Sequence, residues 1–127
     1  MYFNIINLSF LYSNNNKLKL LFYKLFRKQI YKIYLTTKIN NLDFNKFPKL
    51  WKIYLPKNID IIDNDLIIKT NIRKLFLNYN RNITDTGLQY LKGIKHLILW
   101  ENKNITDTGL QYLKGAEEVW VNNEQVI

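Results

Sequence analysis

The sequence predicts an α/β solenoid fragment, with short parallel strands on one face, short helices or turns on the other, and an N-terminal helical cap. Three observations carry that expectation. The stretch NITDTGLQYLKG stands at 82–93 and again, without one difference, at 104–115. The 22-residue offset lies in the range of stacked repeat units. Ahead of each copy, in KLFLNYN and HLILWEN, apolar residues alternate as they do in a strand with one buried face.

Taken in order, residues 1–31 come first. The opening MYFNIINLSFLYSNNN has no basic n-region and no small-residue cleavage site, and so makes a poor signal peptide. In KLKLLFYKLFRKQIY (17–31), Leu18, Leu21, Phe22, Leu25, Phe26 and Ile30 recur at helical spacing, with Lys17, Lys24, Arg27 and Lys28 off that stripe. An amphipathic helix follows, read as a cap over the first unit's open core. Its charge and polarity also admit a helix lying on a membrane surface.

Residues 32–127 divide into about five phased units. The inward pairs are Ile33/Leu35, Ile53/Leu55, Leu75/Leu77, Leu97/Leu99 and Val119/Val121. Three residues after the second member stand Asn58, Asn80 and Asn102, with Lys38 and Glu124 at the two outer units. Ile61, Ile83, Ile105 and Ile127 follow in frame. The outer units are degenerate.

Each position has a physical reason. Asn80 and Asn102 can satisfy backbone groups where the chain leaves a strand. Thr84 or Asp85, and Thr106 or Asp107, can cap the helical turn that follows. Leu88/Leu91 and Leu110/Leu113 then face the core, and Gly93 and Gly115 end the turn. The frame L-x-L-x-x-N-x-x-I-T, continued as D-x-G-L-x-x-L, resembles the leucine-rich repeat. That resemblance covers roughly residues 32–127 and implies a horseshoe fragment whose strands line the concave face, where such proteins commonly bind partners.

Composition sets bounds. Hydrophobic residues make up 47% and charged residues 23%, as in a folded domain. With no cysteine, disulfide frameworks and thiolate chemistry are excluded, which points to an intracellular, cytoplasmic setting. No run of eighteen apolar residues is present to span a membrane. The net charge of +9 divides as +5, +5 and −1 over 1–31, 32–80 and 81–127. The near-neutral last segment argues against a nucleic-acid binder. DIIDND (60–65) lacks the spacing and glycine of a calcium loop and reads as solvated loop; His96, the only histidine, reads as an ordinary surface residue. No catalytic, cofactor or metal motif appears, so the expectation is a non-enzyme without cofactor.

The informative differences lie ahead of the duplicated block. Lys74, Phe76, Asn78 and Tyr79 become His96, Ile98, Trp100 and Glu101, while the inward frame is kept. Between the inward pairs stand Tyr34, Tyr54, Phe76, Ile98 and Trp120, which would form an apolar column about 20 Å long at about 4.8 Å per strand. Beside it run Lys32, Lys52, Lys74, His96 and Glu118. The expected contact residues for a protein or peptide partner are Tyr34, Tyr54, Phe76, Ile98, Trp100 and Trp120, flanked by Lys52 and Lys74. Aromatics also favour strands without any ligand.

Two further expectations concern the ends. The basic, aromatic leader also resembles part of an F-box, without its L-P-x-E/D opening, which implies recruitment of a ubiquitin-ligase adaptor by residues 1–31. At the other end, Val119–Val121 reads as an exposed edge strand beside an open apolar end. That end is expected to self-associate, meet a partner or mark a truncated product.

Overall fold

A computed structural model describes residues 17, 21, 24, 25, 28, 30–34, 44–55, 61–68 and 71–127. Six strands form one sheet in chain order: β1 (Lys32–Tyr34), β2 (Lys52–Leu55), β3 (Lys74–Leu77), β4 (His96–Leu99), β5 (Glu118–Val121) and β6 (Glu124–Gln125). The first five are mutually parallel, and β6 runs antiparallel to β5. The arrangement is of α/β type, with few and short helical turns.

Burial alternates along the strands because successive side chains point to opposite faces. Ile33, Ile53, Leu75, Leu97 and Val119 are fully buried, and Leu55, Leu77, Leu99 and Val121 lie beside them. The segments returning from strand to strand cover this face. Helical turns Asp85–Leu88 and Asp107–Leu110 pack on each other, and the first also packs on the 3-10 turn Asp63–Leu66. With the 3-10 turns Gln89–Leu91 and Gln111–Leu113 that follow, they contribute Leu66, Leu88, Leu91 and Leu113 to the same core.

The duplicated block makes the clasp between neighbouring returns. Thr84 and Thr106 are the caps: each hydroxyl accepts the amide of the residue two places on, at 3.2 Å. The aspartates reach across instead. Asp63 accepts the Thr84 amide at 2.8 Å and its hydroxyl at 2.6 Å, and Asp85 accepts the Thr106 amide at 2.8 Å and its hydroxyl at 2.5 Å. Of the two capping candidates the sequence left open, threonine caps and aspartate binds the next unit. In its described part DIIDND is exposed at Ile62, Asn64 and Asp65 yet ordered: Asp63 is a clasp, and Asp65 accepts the Ile62 amide at 3.0 Å.

Buried asparagines close the other side of each strand exit. Asn80 accepts the Ile61 amide and donates to the Asn78 carbonyl. Asn102 donates to the carbonyls of Leu77 and Trp100 at 3.0 and 2.9 Å. The residue before each asparagine, Tyr79 or Glu101, has φ of 61° or 58°, and Gly93 and Gly115 turn the chain back with φ of 86° and 95°.

Two expectations need correction. The sequence frame leaves β5 as an open edge and puts Ile127 in phase with buried Ile83. Asn122 and Asn123, both with positive φ, instead make a two-residue hairpin turn, so that β6 and the residues after it cover the outer side of β5. The Val126 amide donates to Val119 O at 2.8 Å and Val119 N to Ile127 O at 3.1 Å, which leaves the Ile127 side chain 37% exposed. Leu21 and Leu25, placed on the apolar stripe of the cap helix, are 51% and 53% exposed, whereas Ile30 is buried. The rest of that stripe (Leu18, Phe22 and Phe26), Arg27, and the F-box reading of 1–31 apart from the few residues named lie outside the described residues, as do Leu35, Lys38 and Asn58. Among the described residues, no helix is long and apolar enough to cross a membrane.

Candidate functional site

Among the described residues, the returning segments do not cover the sheet's second face, and its residues stand in ladders set by strand register. Tyr34, Tyr54, Phe76, Ile98 and Trp120 are consecutive register partners, as are Lys32, Lys52, Lys74, His96 and Glu118. Seven of the eight expected contact residues thus fall in two adjacent rows. Trp100 does not: it follows β4 in the turn, with 37% exposure and its carbonyl accepting from Tyr79 N and Asn102 Nδ2.

At the β1–β3 end the rings form a continuous stack. Tyr34 and Tyr54 lie 5.3 Å apart at 14°, and Tyr54 and Phe76 lie 4.3 Å apart at 18°. Lys52 Nζ sits 5.8, 5.9 and 5.1 Å from the centroids of Tyr34, Tyr54 and Phe76. The ammonium thus lies within cation–π distance of all three rings, which stabilises the charge beside the stack. Tyr54 is the most open of the three, and Tyr34 and Phe76 are half-buried.

At the β4–β5 end the rows become acidic and self-paired. His96 Nδ1 lies 3.1 Å from Glu118 and its Nε2 3.5 Å from Glu117, so the histidine bridges two carboxylates instead of standing alone on the surface. Trp120 Nε1 donates to Glu118 at 2.7 Å, and Lys95 pairs with Glu117 at 3.3 Å. Hydrogen bonds from Trp120 and His96 hold the Glu118 carboxyl below the usual carboxylate range, with the charges of His96 and Lys74 acting the same way.

A third row went unread in the sequence. Tyr31, Trp51, Arg73, Lys95 and Glu117 precede the strands and are linked by backbone bonds, Trp51 N to Tyr31 O at 3.0 Å and Arg73 N to Trp51 O at 2.8 Å among them. Beside its Tyr31–Arg73 end lies an open cleft of about 560 Å³ lined by Tyr31, Lys49, Trp51, Asn71 and Arg73. Lys32 Nζ stands 5.3 Å from the Trp51 ring and Lys49 Nζ 5.7 Å from the Tyr31 ring. The signal was available, since these residues recur at the strand spacing one place before the lysine row.

Three ladders therefore offer aromatic surface and cations at one end and carboxylates at the other. Such a face can bind an extended chain by ring contact and charge pairing. Among the described residues, no three His, Cys, Asp or Glu side chains gather as metal ligands. No known protein family, curated protein or solved structure matches the chain.

Proposed function

We propose that the chain is a leucine-rich-repeat-type solenoid that acts as a non-catalytic protein-interaction module, taking a peptide segment of its partner on the uncovered face of the sheet. The stacked Tyr34, Tyr54 and Phe76 with the Lys52 ammonium beside them carry this reading. Rigid aromatic surface with a cation beside it is the composition of energetically dominant contacts. A repeated scaffold block beneath residues that differ from unit to unit fits the same role.

The test is affinity capture from the native cell with the full chain, with Phe76→Ala/Trp100→Ala, and with residues 1–31 removed. Loss of partners in the double variant, with unfolding unchanged, supports the reading. Retention of every partner ends it. Loss of a ubiquitin-ligase adaptor on removing 1–31 alone would assign the function to the leader.

A further inference from the structure

The sign of charge along the uncovered face says more than that a partner binds there. Among the described residues, Lys32, Lys49, Lys52, Arg73 and Lys74 make no ion pair, whereas Lys95 and His96 are engaged by Glu117 and Glu118. Of these cations without a carboxylate partner, Lys32, Lys52 and Lys74 open β1, β2 and β3 and Lys49 and Arg73 line the cleft, while Glu117 and Glu118 stand at the start of β5. A uniformly charged polyanion crossing the strands would run onto Glu117 and Glu118. A short acidic segment would not.

Spacing sets the segment's length. Strands lie about 4.8 Å apart and an extended chain advances about 3.3 Å per residue, so β1 to β5 corresponds to about six residues. We infer that the partner segment is a short acidic peptide whose carboxylates lie over β1–β3 and in the cleft at Lys49 and Arg73, while its other end, over β5, is neutral or basic. The Trp51 and Tyr31 rings supply the apolar wall of that cleft, and the cations supply its charge. This inference rests on the reading of the sheet face as a peptide-binding surface.

The experiment selects a phage-displayed random dodecapeptide library on the full chain, then measures the selected peptides by fluorescence anisotropy. Peptides with Asp or Glu clustered toward one end are expected. Lys49→Glu/Arg73→Glu should weaken them about tenfold, the remote Lys114→Glu should leave them bound, and Glu117→Lys/Glu118→Lys should admit acids at both ends. Selected peptides that are not acidic, or are insensitive to Lys49→Glu/Arg73→Glu, overturn the inference and leave the peptide-binding face standing. Selection of no peptide overturns both. Tighter binding of oligothymidylate through Lys49 and Arg73 would make a polynucleotide the occupant. A dimer in sedimentation that Lys49→Glu/Arg73→Glu dissolves would make it a second copy. Either result overturns the inference.

Discussion

The Asp85 carboxylate occupies the space that a side chain at Gly109 would need: a Cβ there would overlap Asp85 Oδ1 and lie 2.7 Å from Cγ. The same relation joins Asp63 and Gly87 one unit earlier. The glycine of the duplicated T-D-T-G is thus required by the aspartate of the preceding unit. That aspartate is held in place by the next threonine.

Gly109→Ala should therefore destabilise by about 2 kcal/mol, the usual size of an overpacking cost. In an Asp85→Ala background the added cost should shrink, because the carboxylate that collides is gone. Urea unfolding of the four species gives the coupling. Simple additivity would mean that the crowding lies elsewhere, for instance at the Asp85 Cα 3.0 Å away.

Thr106 both caps its helical turn and donates to Asp85. Thr106→Ala removes both functions and should cost about 1–2 kcal/mol, whereas Thr106→Ser keeps the hydroxyl and should retain most of that. Equal losses in thermal unfolding would show that the methyl group, not the hydrogen bonds, matters.

Glu118 should make stability pH-dependent at the acid end. Its carboxyl has a lower pKa folded than unfolded, so its contribution is complete above the unfolded value, about 4.3 for glutamate. It is lost as pH falls through the lower folded value. The urea midpoint of the wild type relative to Glu118→Gln should narrow over that acid range. A difference that grows on acidification would contradict the assignment.

The hairpin Asn122–Asn123 depends on two residues in the left-handed region. Asn123→Gly should leave it formed, while Asn123→Val should strain it by about 1–2 kcal/mol. The readout is hydrogen exchange at Val119 and Val126, whose amides bond across the β5 edge. Unchanged protection in Asn123→Val would show that β6 does not depend on this turn.

Register was legible because the period sets phase: once Leu75 and Leu97 are aligned, Lys74 meets His96 and Phe76 meets Ile98 without further information. The ring stack followed from that phase. What lay between units was harder to read. Nothing local says that Asp85 bonds a threonine 21 residues on, so the capping role stayed open between Thr84 and Asp85. At Asn122–Asn123 two legible rules conflicted. The repeat frame asked the chain to continue, the asparagine pair asked it to reverse, and the local turn preference prevailed. The cleft was missed because residues just before a strand fall outside the alternating pattern that marks its two faces.

The central claim, that partners dock on the uncovered sheet face, is tested most directly by comparing the two sides of the sheet. Tyr90 and Tyr112, on the returning segments, are each 37% exposed, close to Tyr54 at 36%. Affinity for a captured partner should fall about tenfold or more in Tyr54→Ala/Phe76→Ala. It should stay within about twofold of wild type in Tyr90→Ala/Tyr112→Ala, where no dominant contact is lost. The reverse order, with both variants folded, would place the binding surface on the returning segments and contradict the account.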